Sequence, residues 1–211
     1  MADSILDENE EIIPSTKITF SKGVTSLGQN IYSKYIFVLF IVFVCLMGVT
    51  TLTGLSSLSA YNQTLAEMNR LSSFPQDLYQ LFLSLRPLIV VELLLIILVL
   101  GVAIFGLVFS AGLRKRALSI ASKAQLVKYT SLQLIASIAF LVVISIYTIF
   151  EIYAVSRSIA IYTEINNSYG LGLVSPDYVL PSIRLIAVVG LSIPMVIIAL
   201  HNKHAVLTIS E

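Results

Sequence analysis

Three ionisable residues lie inside long apolar stretches of the sequence, where a charge is costly and needs a reason. Glu92 interrupts the run RPLIVVELLLIILVLGVAIFGLVFSAGLRKR at positions 86–116, Glu151 follows IASIAFLVVISIYTIF, and Arg184 lies near the start of a later apolar stretch. A carboxylate next to a guanidinium can form an ion pair, which offsets part of the cost of removing both charges from water. The sequence therefore predicts an intramembrane charge cluster of Glu92, Glu151 and Arg184.

The levels of these three residues along their helices can be estimated by counting from a boundary marked by basic residues at the opposite ends of the predicted spans. These basic residues are Arg114, Lys128 and Lys203. At 1.5 Å per residue, Glu92 lies about 33 Å from that boundary, Glu151 about 34 Å and Arg184 about 28 Å. This common level is the edge of a hydrocarbon core about 30 Å thick. We expect Glu92 to face the protein interior and either Glu92 or Glu151 to pair with Arg184. The alternative is that each charge separately reaches interfacial water.

Residue sets that could support catalysis are absent from the sequence. His201 and His204 are three residues apart and share a helical face, but no nearby carboxylate or cysteine completes a metal site. We interpret them as polar anchors at a membrane boundary. The GLGL sequence at 170–173 lacks the strand and helix that a phosphate loop requires. We predict no catalytic residues, metal, cofactor or small-molecule substrate, and hence no enzyme.

A basic run separates the second and third apolar stretches of the chain. The residues that we expect to contact anionic lipid headgroups or a partner on the inner side are Arg114, Lys115, Arg116 and Lys123. The simpler reading is that they only set the orientation of the chain in a membrane. The formal net charge of +1 argues against a nucleic-acid-binding protein, so we expect no direct contact with nucleic acid.

The composition of the chain is typical of a membrane protein, with 57% hydrophobic and 12% charged residues. Segments of about 20 apolar residues are long enough to cross a bilayer as helices. Four segments meet this test: 35–58, 88–113, 132–154 and 183–200. We therefore predict an all-α integral membrane four-helix bundle. The fourth span is the weakest, and Pro194 is expected to break it.

Helical patterns continue beyond the predicted spans on one side. Apolar residues recur at helical spacing in the segment 59–87, which predicts a helical hairpin that projects about 15–20 Å from the bilayer. The same spacing continues at the start of the loop 155–182, so the third helix is also expected to project. The helices should therefore extend beyond the bilayer on its outer side.

Lysine and arginine residues predict the orientation of the chain. Most of them lie in the N-terminal tail 1–34, between spans two and three, or in the C-terminal tail 201–211. The positive-inside rule then places both termini in the cytoplasm or in a compartment derived from it. Two glycosylation sequons, at Asn62 and Asn166, fall in the predicted outer segments, which agrees with this orientation.

Small residues recur within the predicted spans and could allow close approach of helices, either within the chain or between subunits. They are Gly48, Gly54, Gly101, Gly106, Ser110 and Gly190. We predict a homo-oligomer that also contacts membrane lipids and other protein subunits.

Runs such as FVLFIVFVCLMGVTTLTGL, together with the absence of Trp and the abundance of Tyr, Ile, Leu and Ser, resemble membrane proteins of thermoacidophilic archaea and of their spindle-shaped viruses. The resemblance is compositional, covers the whole chain and specifies no residue. It implies a structural role, as an envelope or tail-base protein of a virion. We expect a non-enzymatic structural or adaptor subunit of a multi-subunit assembly. The alternative is a small transporter, a channel or an accessory subunit of a respiratory complex.

Overall fold

The computed structural model describes residues 31–71, 74–117, 123–174 and 176–208 of the 211-residue chain. Of these residues 93% are helical, and none of them forms a strand. The helices are α1 (Ile31–Arg70), α2 (Gln76–Ala117), α3 (Lys123–Tyr169) and α4 (Val179–Leu207). Residues 1–30 of the predicted N-terminal tail and 209–211 of the predicted C-terminal tail lie outside the described residues.

Each predicted span lies within one of these helices, and all four helices continue past the predicted limits. The four helices are long and apolar enough to cross a membrane, as judged by length and composition. The segment 59–87 is helical on both sides of a short link around residues 71–75, and α3 continues for 15 residues beyond position 154. The extension of the helices at this end is thus present in the structure.

The expectation that Pro194 breaks the fourth helix is wrong, because α4 runs without interruption from Val179 to Leu207. Proline removes one backbone hydrogen bond and crowds the carbonyl four residues earlier. The loss of one bond leaves the other backbone hydrogen bonds of this 29-residue helix in place. The helix α2 likewise continues through Pro87.

Short links join successive helices, so neighbouring helices run antiparallel. Contacts connect α1 with α2, α2 with α3 and α3 with α4, and a smaller set connects α1 with α4. The start of α1, the end of α2, the start of α3 and the end of α4 therefore lie together. We call this the basic end, because it carries Lys34, Lys115, Lys123, Lys128 and Lys203, and we call the opposite end the hairpin end.

The buried face of α3 shows how the helices pack. Its buried side chains recur at alternating steps of three and four residues over most of the helix, at Leu126, Thr130, Gln133, Ser137, Phe140, Ile144, Tyr147, Glu151 and Ala154. A mean spacing of about 3.5 residues keeps one stripe against neighbouring helices, as in left-handed coiled coils. The polar residues Gln133 and Glu151 belong to this stripe.

Three apolar clusters follow one another along the helices. The central core draws on all four helices and includes Phe40, Val99, Phe140 and Met195. The hairpin core contains buried residues of α2 and α3, with Tyr61 of α1 packed against them. The basic-end core consists of Leu113, Leu126 and Val206. Buried polar side chains lie at both ends of the central core.

Candidate functional site

The first polar group, which we call the ionic layer, consists of the buried residues Tyr147 and Glu151 and the partly buried residues Arg184 and Glu92. Arg184 Nη1 donates a hydrogen bond of 2.6 Å to Glu151 Oε1 and one of 2.8 Å to the hydroxyl oxygen of Tyr147. The side chain of Glu151 is 8% exposed and that of Arg184 is 27% exposed. The ion pair thus ties α3 to α4 and is open to its surroundings on the arginine side.

Glu92 enters the ionic layer from α2 and interacts electrostatically with both Glu151 and Arg184. Its side chain is partly buried, and it forms no ion pair within the described part of the chain. The expected partner of Arg184 was either Glu92 or Glu151, and in the structure it is Glu151. The three predicted members of the charge cluster therefore lie together, but Glu92 stands beside the ion pair.

One oxygen of the Glu151 carboxylate accepts no hydrogen bond from the described residues. The atom Oε2 is buried and has no hydrogen-bond partner among the described residues. A buried carboxylate oxygen normally accepts at least one hydrogen bond. The ionic layer therefore contains two carboxylates, one guanidinium and an unused acceptor.

The helix α1 passes the ionic layer without adding a charge. At this level Gly54 lies against α2, since a Cβ atom added at Gly54 would be 3.1 Å from Leu93 Cδ1. Between Cys45 and Tyr61 the sequence of α1 contains no titratable side chain. Every charge in the layer therefore comes from α2, α3 or α4.

A second group, which we call the amide layer, consists of Ser110, Gln133 and Asn202. All three residues are 0% exposed. Gln133 Nε2 donates a 3.1 Å hydrogen bond to Ser110 Oγ, and Asn202 Nδ2 donates a long one of 3.4 Å to Gln133 Oε1. These bonds connect α2, α3 and α4 through neutral groups. The Oδ1 atom of Asn202 is buried without a partner among the described residues.

The two layers repeat each other along the same three helices. The pairs Glu92 and Ser110, Glu151 and Gln133, and Arg184 and Asn202 are each 18 positions apart. Eighteen residues make about five helical turns and span about 27 Å. The same face of each helix therefore presents polar groups at two levels, close to the thickness of a hydrocarbon core of about 30 Å.

Aromatic rings fill the central core between the layers. The Phe140 ring meets Phe43 with a centroid distance of 4.6 Å and Phe40 with an edge-on distance of 5.9 Å. The buried hydroxyls at intermediate levels bond to carbonyl oxygens of their own helices, as Thr148 does to Ile144 and Ser192 to Val188. The described residues thus place an apolar plug between the polar layers.

The predicted lipid or partner contacts are placed at the basic end. The Arg114 guanidinium lies 4.7 Å from the centre of the Phe37 ring, and its Nε is buried without a partner among the described residues. Lys115 is exposed and Lys123 is partly exposed. The backbone of Arg116 belongs to α2, but its side chain lies outside the described residues.

The two histidines are exposed near the end of α4. In the part of the chain that the structure describes, no three His, Cys, Asp or Glu side chains lie together in a group that could hold a metal ion.

The small residues fall into two groups. A Cβ atom at Gly106 would come within 2.2 Å of the Phe40 ring, so α1 and α2 approach closely there. Ser110 belongs to the amide layer, and Gly54 contacts Leu93. In contrast, a Cβ at Gly48, Gly101 or Gly190 would meet no described atom within 4 Å, so these glycines serve no close approach within the chain.

The two sequon asparagines differ in their surroundings. Asn166 bridges the turn after α3, because its Nδ2 donates to Leu173 O and its Oδ1 accepts from Leu173 N, both at 2.8 Å. Gly170 and Gly172 within this turn have φ values of 63° and 62°, which glycine adopts without strain. Asn62 instead lines an open cleft between α1 and α2 with Tyr79 and Arg86. A glycan on Asn166 would disturb the turn, whereas the Asn62 side chain forms no such hydrogen bonds among the described residues.

The sequence interpretation missed Tyr147, Gln133 and Asn202. Their signal is their place on buried stripes: Gln133 and Tyr147 keep the three-and-four spacing of α3, and Asn202 keeps that spacing with Met195 and Ala199 on α4. A polar residue on such a stripe needs a partner on a facing helix.

Searches against known protein families, curated proteins and solved structures find no match to this chain.

Proposed function

We propose that this chain is a multi-pass integral membrane protein that serves as a non-enzymatic structural or adaptor subunit of a larger assembly. The observation that carries the proposal is the central core, which an aromatic plug fills between two polar layers about 27 Å apart. A scaffold needs such a filled interior, whereas a conduit needs polar groups or water along its path.

The outward faces of the helices support insertion in a bilayer. Between the two layers each helix presents large apolar side chains that are at least 38% exposed, including Val42, Leu46, Leu94, Ile97, Phe105, Val142, Ile146, Ile186 and Ile197. Apolar surface on all sides of a protein is suited to lipid and costly in water. The polar layers would then lie near the two boundaries of the hydrocarbon.

The basic end is proposed to face the cytoplasm or a compartment derived from it, following the positive-inside rule. Single cysteines introduced in a Cys45→Ser background test this orientation with an impermeant maleimide on sealed vesicles. Cysteine at the exposed hairpin-end residue Asn167 should react from outside, and cysteine at Thr208 should react only after the vesicles are opened. The opposite pattern would reverse the proposed orientation.

The hairpin end supports a role in assembly. From the ionic layer, α1 and α2 continue for about 24 Å and α3 continues for about 27 Å, so three helices would stand outside the bilayer. They keep an apolar core of their own, which includes Leu78, Leu85 and Ile165. A rigid projection of this kind offers other subunits a surface that lipid does not cover.

The compositional resemblance described above leads us to propose the envelope or tail base of an archaeal virus as the setting. Neighbouring copies of the chain, other protein subunits and membrane lipids are then the expected partners. Native mass spectrometry of the protein extracted in a mild detergent tests the subunit role. A defined multimer of many copies is expected, and a monomer that stays monomeric in lipid nanodiscs would contradict the proposal.

A small transporter or channel is the second candidate function, and the ionic layer is the observation that favours it. Transport sites place charged residues within the bilayer, but typically near its midplane and beside broken helices. Here the charges lie at one boundary and α4 is continuous. Liposome flux assays distinguish the candidates, because a structural subunit should show no more flux than protein-free vesicles.

A further inference from the structure

We propose that Glu92 and Glu151 bind one exchangeable proton between them. In this site the Glu92 carboxyl holds the proton and Glu151 Oε2 accepts the hydrogen bond. The ligand is a proton taken from water at the hairpin end, where a hydronium ion gives up H⁺ and becomes water. The inference goes beyond the subunit role, because it concerns the charge of the ionic layer in whatever assembly the chain joins.

The unused oxygen of Glu151 is the first observation. Glu151 is buried, and Arg184 donates to Oε1 at 2.6 Å, while Oε2 is buried with no partner among the described residues. A buried carboxylate oxygen that accepts nothing loses much of its hydration free energy without compensation. A protonated carboxyl supplies the O–H donor that this oxygen lacks.

The charge balance is the second observation. The charged and titratable groups in the layer are Glu92 on α2, Tyr147 and Glu151 on α3, and Arg184 on α4, while α1 has none at this level. With both carboxylates ionised, one guanidinium leaves a net charge of −1 in a largely buried layer. Two carboxylates that interact electrostatically and share one guanidinium cannot both be compensated, so they share a proton, and its uptake makes the layer neutral.

The number and charge of the groups in the ionic layer favour a proton over a metal cation as the ligand. Two carboxylates and one phenol are fewer oxygen ligands than Ca²⁺ or Mg²⁺ normally take from a protein, and the Arg184 guanidinium would repel a cation placed beside it. A proton needs only one carboxylate and one acceptor. Exchange with water is possible because Arg184 is 27% exposed and Glu92 is only partly buried.

Infrared spectroscopy of the full-length protein at neutral pH tests this site, in micelles of dodecyl maltoside, a detergent that contains no carbonyl group. The carbonyl stretch of a protonated carboxylic acid is resolved from the amide bands and shifts when the protein is transferred to D₂O. We expect this band in the wild-type protein and its loss in Glu92→Gln. The exposed Glu164 on α3 provides the matched control, because Glu164→Gln should leave the band unchanged.

The wild-type spectrum alone can overturn the proposal, since absence of the band would mean that both carboxylates are ionised. Persistence of the band in Glu92→Gln would place the proton elsewhere, which also contradicts the site. A Na⁺-dependent rise in thermal stability, relative to choline, in protein without the band would show a bound cation instead. The Glu92→Gln variant should remain folded because the Glu151–Arg184 pair is intact, and circular dichroism checks this. Failure of the subunit proposal would appear in the native mass and not in these spectra.

Discussion

The ionic layer and the amide layer lie on the same faces of α2, α3 and α4, yet they solve burial differently. The amide layer is 0% exposed, whereas Arg184 in the ionic layer keeps 27% of its side chain exposed. Neutral amides need only hydrogen bonds to be buried, but an ion pair also loses the hydration of its charges. Charge is therefore found in the layer that is partly exposed, and neutral amides are found in the layer that is fully buried.

The largest effect should follow from removing the cation of the ionic layer. Arg184→Gln leaves Glu151 buried without its charged partner, so we expect the free energy of unfolding to fall by about 3–5 kcal/mol. Chemical denaturation in detergent micelles, followed by circular dichroism, measures this loss. The exposed Arg157 on α3 is the matched control, and Arg157→Gln should change stability by less than about 0.5 kcal/mol.

Adding Glu151→Gln to Arg184→Gln should recover part of that loss, because the second substitution removes the stranded charge. The double-mutant cycle then shows a coupling free energy of at least about 1 kcal/mol. Strictly additive losses would mean that the two side chains do not interact. The ionic layer would then not be held by an ion pair, which would contradict the comparison with the amide layer.

Between the two layers, a substitution in α2 should destabilise the protein on the side that packs against α1 and should be tolerated on the exposed side. Gly106→Ala places a methyl group within 2.2 Å of the Phe40 ring and should destabilise the protein by about 1–3 kcal/mol. Gly101→Ala meets no described atom within 4 Å and should be neutral or stabilising by up to about 1 kcal/mol, since alanine favours helix. Thermal denaturation of both variants tests this contrast, and equal effects would argue against close contact of α1 with α2.

The amide layer should respond to loss of its central residue. Gln133→Leu removes the partner of both Ser110 and Asn202, which leaves buried polar groups unpaired and should cost about 1–2 kcal/mol. Replacing Ser110 with Ala and Asn202 with Leu in the same chain should recover most of this cost, because a wholly apolar layer has no group to satisfy. A triple variant less stable than Gln133→Leu alone would contradict this explanation, because these side chains would then stabilise the protein by more than their hydrogen bonds.

The smallest effect is expected at Asn202. Its hydrogen bond to Gln133 is long at 3.4 Å, and its Oδ1 has no partner among the described residues. Asn202→Leu exchanges these weakly compensated groups for apolar packing and should change stability by less than about 1 kcal/mol in either direction. A loss as large as that of Arg184→Gln would contradict the comparison, because a change in the neutral layer would then lower the free energy of unfolding as much as removal of a charge.

The sequence was enough to predict the helices and their approximate levels. Apolar runs of about 20 residues have few other stable forms, and a rise of 1.5 Å per residue brings Glu92, Glu151 and Arg184 to one height. The helical continuation beyond the spans also follows from local periodicity. The prediction for Pro194 was wrong because one lost hydrogen bond does not end a helix of 29 residues whose other bonds remain, and α2 continues through Pro87 in the same way.

Tertiary structure alone decided which side chains meet. Height along a helix says nothing about rotation around it, so the sequence left Glu92 and Glu151 as equal candidates for Arg184. Packing turns α3 so that Glu151, Tyr147 and Gln133 share its buried stripe, and that rotation depends on how side chains of three other helices fill the central core. The rotation of α2 likewise separates Gly106, which lies against Phe40, from Gly101, which faces outward. Rotation is a property of the facing helices, and no local pattern encodes it.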